Sequence, residues 1–432
     1  MKIRPALPAL FCVLTSLGHA ANWPQFRGPD GEAKSDDKNV PLKWSATENM
    51  KWKLDLPGAG SSSPIVWGDR VFVTCFSGEK ENGDVSSLIR SVICVDSSSG
   101  KKLWQKDYPA PQPEDAWQGM MREHGYASNT PVTDGKAVYA QLGKGGVVAL
   151  DYSGKELWHA ETGKDSNMRH WGSAGSLILW KNLVIANASS EAQALFAFDK
   201  DTGKQVWKQS ASLLELAFGT PHIIKRKDGH EELLFAAPGE LWGMIPETGK
   251  LRWFAETGLT GNITPDPVVV DDLVCVFGGY PGIGRVAVVA GEKGAVPAAG
   301  ILWRDASSSY VPTPVAYDGK LYCVNDAGLA WCVDAKTGTM IYRERAGSGD
   351  SAGGGRGRGM GKPFYASPVI VNGNILAVSR KQGTMVIAAK PEFQLLGVNV
   401  IAGDDTDFNA TPAVSDGHIF IRSNKALYCI GK

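Results

Sequence analysis

Asp199-Lys200-Asp201-Thr202-Gly203-Lys204-Gln205-Val206-Trp207 is the stretch that decides the fold. Glycine reaches positive φ without penalty, so Gly203 suits a tight turn between antiparallel strands. The Asp199 carboxylate is placed to accept backbone N–H groups of the same turn. Leu195 to Phe198 forms the strand before it, and Trp207 lies on the strand after it. Further upstream, Leu177 to Leu179 and Leu183 to Ala186 bracket Trp180-Lys181-Asn182 as two more strands. Four strands therefore make one unit. Its indole buries a large flat surface, which is placed against the next unit.

Outward from this stretch the cassette recurs. Asp96, Gly100, Lys101 and Trp104 repeat it, and Asp151, Gly154, Lys155 and Trp158 repeat it one residue shorter. Gly249, Lys250 and Trp253 keep the turn with Ile245 in the place of Asp. Asp334, Gly338 and Tyr342 keep it with Tyr for Trp. A fifth copy retains Trp303 behind an irregular loop at Gly291-Glu292-Lys293-Gly294. A seventh, around Pro391-Glu392-Phe393, has lost it. Each copy opens on a Ser-Pro, Thr-Pro or similar step: Ser63-Pro64, Thr130-Pro131, Ser173-Ala174, Thr220-Pro221, Thr264-Pro265, Thr313-Pro314, Ser367-Pro368 and Thr411-Pro412. Most spacings are 43 to 54 residues and the first is 67. Strand repeats of this length predict an all-β, eight-bladed β-propeller of four-stranded antiparallel blades. The eighth copy reaches Lys432 without a fourth strand. Met50 to Leu56, with Trp52 placed 11 residues before Ser63, is expected to supply that strand and close the ring.

The repeat overrides the two or three domains that 432 residues alone would suggest. One propeller domain is expected over 21–432. Residues 1–20 are read as an export signal: Lys2 and Arg4, an apolar run from Ala6 to Leu17, then Gly18-His19-Ala20 before a cut. Cys12 follows Phe11, which does not suit a lipoprotein signal. An exported, periplasmic or cell-envelope monomer without a membrane span in the mature chain is expected. Lys+Arg and Asp+Glu are both 45, so charge makes no case for nucleic acid. The six remaining cysteines, Cys75, Cys94, Cys275, Cys323, Cys332 and Cys429, lie in apolar strand runs without CxxC or adjacent pairs. They are read as buried free thiols rather than disulfides or metal ligands.

Two connections are long. Lys106 to Asn129 carries apolar side chains that suit packing over one face of the disc. The stretch 346–363 is rich in Gly and Arg and is expected to be flexible. Segments entering the innermost strands converge on one mouth of the central channel. They offer Ser62, Asn129, Trp171, Asn262, Tyr310, Tyr365 and Asn409, with Glu123, His124 and His170 close by in sequence. This mix suits a polar planar ligand, a peptide or a water-filled channel. Gly349-Asp350-Ser351-Ala352-Gly353 matches a nucleophile elbow but lies in the Gly-rich loop. Gly282 to Ala287 imitates a dinucleotide fingerprint without a following helix. Asp404, Asp405 and Asp407 lack the Gly and Glu of a calcium loop. No catalytic residue and no metal site are assigned.

The Asp-x-x-x-Gly-Lys-x-x-Trp cassette resembles the tryptophan-docking motif of PQQ-like propellers. Those are the eight-bladed folds of quinoprotein dehydrogenases and of the outer-membrane protein assembly lipoprotein. The opening Trp23-Pro24-Gln25-Phe26-Arg27-Gly28-Pro29 and the closing Leu427 to Gly431 look like an exported bacterial branch. The resemblance implies a non-catalytic scaffold binding a protein or other macromolecule through its loops. Its alternative is a quinone-dependent oxidoreductase of alcohols or sugars, with pyrroloquinoline quinone and calcium. Trp171 or Tyr365 would then form the stacking floor and Glu123 the base or calcium ligand. The adjacent cysteine pair common in the dehydrogenases is missing from this chain.

Overall fold

Eight consecutive sheets follow one another along the chain in a computed structural model that describes residues 22–347 and 362–432. The expected leader, the expected nucleophile-elbow lookalike and most of the 346–363 loop lie outside the described residues. Each sheet is built on four antiparallel strands running outward from the axis, two sheets gaining a short fifth strand in parallel, so the architecture is an all-β, eight-bladed propeller. The third blade is typical: Ile178–Trp180, Leu183–Ala188, Ala194–Asp199 and Gln205–Ser210. Its second strand is buried at every position, because both faces press on neighbouring blades. Its outermost strand alternates and buries Trp207.

The cassette joins each blade to the next. Asp199 Oδ1 accepts Asp201 N at 3.2 Å, Thr202 N at 2.9 Å and Thr202 Oγ1 at 2.7 Å. The Trp158 indole of the preceding blade donates Nε1–H to Lys200 O of this turn at 2.8 Å. Gly203, at φ +69°, lies flat on that indole, and a Cβ there would stand 2.7 Å from Trp158 Cδ2. Gly is therefore required twice, for backbone and for close approach. The same contact recurs as Trp52 to Ser97 O, Trp104 to Tyr152 O, Trp207 to Pro246 O and Trp303 to Ala335 O. Trp253 faces the eroded turn and donates instead to Glu232 of its own blade.

Closure follows the expected route. Met50–Asp55 pairs antiparallel with Ala426–Ile430, setting Trp52 opposite Cys429. A second lock spans the same seam. Arg422 of the eighth blade is fully buried and donates from Nη1 to Ser62 O, Ser62 Oγ and Thr74 O of the first. The six cysteines are free and buried.

Around the axis the innermost strands begin on a belt of hydrogen bonds. Backbone N–H groups of Ser63, Thr130, Ser176, Thr220, Asp266, Thr313 and Ser367 each donate to the side-chain oxygen of the next member, ending at Thr411. The belt corrects two of the sequence-derived openings. Ser176-Leu177 replaces Ser173-Ala174, and Asp266-Pro267 replaces Thr264-Pro265, because only those residues carry the oxygen at the belt position.

The segment before the first blade crosses the rear of the disc. Trp23 exchanges backbone bonds with Val66, Thr133 N donates to Pro24 O, and Lys34–Ser35 runs parallel to Val369–Val371. Arg27, fully buried, donates from Nη1 to Thr313 O at 3.1 Å and from Nη2 to Pro314 O at 2.9 Å. Phe26 thereby forms the floor of the channel.

Candidate functional site at the channel mouth

Above this floor the channel opens on the other face as a cavity of about 150 Å³. The belt residues line its depth. His124, Trp171, Asn262, Tyr310, Tyr365 and Asn409 line its mouth, together with Met120 and Phe218. The insertion from 106 to 129 brings His124 there. Phe76, Trp117, Met121 and Tyr126 anchor that insertion in a separate apolar cluster. Beneath it Arg90 meets Glu114 at 2.7 Å with both side chains buried.

Two of the expected residues sit differently. Asn129 turns away from the channel and donates Nδ2–H to Gly175 O at 2.6 Å, while its neighbours Ser128 and Thr130 face inward. Ser62 likewise turns outward, to Thr74 O and Arg422. Extended chain alternates its side chains, so every second residue is lost to the blade interface. Glu123 stands at the rim, where its Oε2 meets Arg380 Nη1 at 2.8 Å. His170 lies further out and pairs with Asp115 at 2.8 Å.

The mouth is aromatic with cations on the ring faces. Arg380 lies 4.6 Å over Tyr365 and also meets Asp407 at 2.5 Å. Lys362 Nζ lies 4.1 Å over Tyr310 and 2.6 Å from Asp326. Arg169 lies 5.0 Å over Trp171 and 5.9 Å from Tyr280. It has no carboxylate partner among the described residues. Such contacts favour a cation held against a ring quadrupole. Burial lowers His124 to about 4, so at neutral pH it is an uncharged imidazole, 2.7 Å from Ser128 Oγ. Burial lifts the Tyr365 hydroxyl to about 12.

Deeper, Asp266 is the carboxylate in a belt otherwise built of hydroxyls. Burial raises it to about 6 against the opposing pull of Arg27. The Asp-Pro step at 266–267, spaced like the other openings, was the signal for it. Its linkage has a definite sign. A raised folded pKa stabilises the fold below the unfolded value of 3.8, and that stabilisation is lost as pH rises through about 6. Asp266→Asn keeps an acceptor for Thr220 N and removes the titration. Between pH 4 and 7 the stability difference between variant and parent should therefore grow in the variant's favour by roughly 2–3 kcal/mol. Urea unfolding of both proteins across this range checks it; parallel curves would refute it.

A calcium-bound quinone does not fit this donor set. Among the described residues no three His, Cys, Asp or Glu side chains converge. Glu123 and Asp407 both engage Arg380, and a calcium ion placed there would meet that guanidinium. The cysteines are isolated from one another in sequence. Asp404 accepts from Thr406 in its own turn and from Ser423 and Tyr428 of the eighth-blade hairpin. Gly284–Val289 is a strand.

These features define an eight-bladed propeller closed by its N-terminal strand, with a belt-lined cavity at the axis. The chain belongs to the family described as outer membrane protein assembly factor BamB, whose model matches residues 35–170 and 89–344. Relatives include a polyvinylalcohol dehydrogenase of a Pseudomonas species, 22% identical over 54% of this chain and 52% of its own length. An outer membrane protein assembly factor BamB of Nitrosomonas eutropha is 24% identical over 54% of this chain and 55% of its own. The chain thus spans about half the length of the curated relatives it matches. The crystal structure of BamB from Moraxella catarrhalis superposes with a TM-score of 0.59 at 13% identity, covering 89% of this chain and 99% of that one. A europium-containing methanol dehydrogenase gives 0.60 at 11%, covering 95% and 98%. At such identities these structures speak for the fold alone.

Proposed function

We propose that the chain is a non-catalytic binding scaffold of the bacterial cell envelope, holding a protein partner over the open mouth of its channel. One observation carries this reading: the rim carboxylates Glu123, Asp407 and Asp326 are each paired with a cation, the first two sharing Arg380 and the third meeting Lys362. Among the described residues no carboxylate at the rim is left unpaired to act as a base or to gather a metal, while Trp171, Tyr280 and Tyr365 present the aromatic surface that protein interfaces favour. The family supports a scaffold in general terms. Export through the leader read at 1–20 would place it in the envelope. No helix among the described residues is long and apolar enough to cross a membrane.

A photo-crosslinking side chain at Tyr280, 45% exposed at the mouth, should give a discrete protein adduct in the native envelope. The same probe at Val206, 51% exposed on an outermost strand, should not. The second reading, a quinone-dependent oxidoreductase, is favoured by the polyvinylalcohol dehydrogenase relative. Pyrroloquinoline quinone with Ca²⁺ should produce neither bound-quinone absorbance nor dye reduction; dye reduction dependent on the quinone would replace the scaffold reading.

A further inference from the structure

The outermost strand of a blade leaves a row of backbone groups without a strand partner unless another segment covers it, which invites pairing with another chain. Charge guards seven of the eight. Lys102–Pro109, Glu156–Ala160, Gln205–Ser210, Leu251–Glu256, Ile301–Asp305, Met340–Arg345 and Met50–Asp55 each carry at least one Lys, Arg, Asp or Glu. The edge of Leu251–Glu256 is also covered, by Gly294–Ala295. The seventh blade breaks the pattern. Its edge strand Leu395–Asn399 has no charge, and the sequence stays uncharged from Leu395 to Gly403. Leu396, Val398 and Val400 alternate outward at 47%, 41% and 51% exposure. A Cβ added at Gly397 would meet nothing within 4 Å. Leu42, 36% exposed, extends the apolar surface; its carbonyl accepts Asn399 Nδ2–H at 3.0 Å.

We propose that this edge pairs with the same edge of a second copy of the chain, making a two-fold dimer through a continuous sheet, in place of the monomer expected from sequence. The argument for a second copy is self-complementarity. Two identical strands brought antiparallel about an axis at Val398 set Val398 opposite itself and Leu396 opposite Val400, an apolar ladder on one face. A charged edge such as Met340–Arg345, with Arg343, Glu344 and Arg345, would set like charges close together in the same arrangement. The uncharged edge has no such penalty. An isologous pairing also closes at two and leaves the other edges guarded.

Sedimentation of the purified full chain over micromolar concentrations tests this. The parent should show a reversible monomer–dimer equilibrium. Val398→Lys should weaken dimerisation roughly 30-fold or more, since it sets two ammonium groups face to face. Val206→Lys, on the edge of the third blade, should leave the equilibrium unchanged. Thermal unfolding of the exposed-site variants confirms that each is folded; should Val398→Lys fail that check, Val400→Lys, beyond the strand end, serves in its place. A parent that stays monomeric, an open-ended series of oligomers, or a dimer indifferent to these substitutions at 398 and 400 would each overturn the proposal.

Discussion

Removing residues 22–56 will leave a chain that no longer unfolds in one cooperative transition. The deleted segment supplies the outer strand of the eighth blade, paired from Met50 to Asp55 with Ala426–Ile430. It carries Trp52, whose indole backs the Gly100 turn of the first blade. It also carries Trp23, buried in the largest core cluster, and Arg27, which bridges to the sixth blade. Its loss opens the ring at one seam and exposes Phe420 and Cys429 there. Burying a tryptophan-sized apolar surface contributes about 3 kcal/mol or more, and native domains hold only about 5–15 kcal/mol in total. Far-ultraviolet dichroism against temperature checks the outcome. A truncated chain melting as sharply, and at the same temperature, as the full one would show that closure is dispensable.

Arg422→Met is expected to destabilise the fold by about 3–5 kcal/mol. The guanidinium has no carboxylate partner among the described residues. Backbone carbonyls of Ser62 and Thr74 and the Cys75 sulfur hold it, and burial lowers its pKa. Methionine fills the stem but leaves the Ser62 carbonyl without this buried donor. The loss falls on the seam between the last and first blades, which the N-terminal strand also closes, so the two losses should be non-additive in combination. Denaturant unfolding of Arg422→Met and Arg422→Lys measures it. The lysine variant should recover part of the loss, since it keeps a charged donor. A methionine variant within about 1 kcal/mol of the parent would remove Arg422 from the closure.

The blade count was legible because the Asp-to-Trp cassette is local: nine residues contain both the turn and the indole, and spacing does the rest. The closing strand was legible for the same reason, since Trp52 stands at cassette distance from Ser63. The belt was not. Ser173 and Ser176 are alike in a sequence, and only the bond from Thr130 N to Ser176 Oγ separates them. Channel-facing parity was also hidden. Asn129 was expected at the mouth because its residue type suits a polar lining, yet Ser128 and Thr130 occupy that face. Arg380 sits at a hairpin tip with no repeat spacing. It reaches Glu123 only because an insertion in the first blade arches over to the seventh. Arg27 lies 286 residues from the carbonyl it bonds, and no local pattern reports such a contact.

The strap carrying Phe26 and Arg27 turns a potential tube into a funnel. Phe26 narrows the belt-lined well from the rear, so the wider approach to the well is past Trp171 and Tyr365. On the proposed scaffold reading, engagement is end-on: a chain terminus or a protruding loop tip suits the well, whereas a continuous strand would lie across the rim.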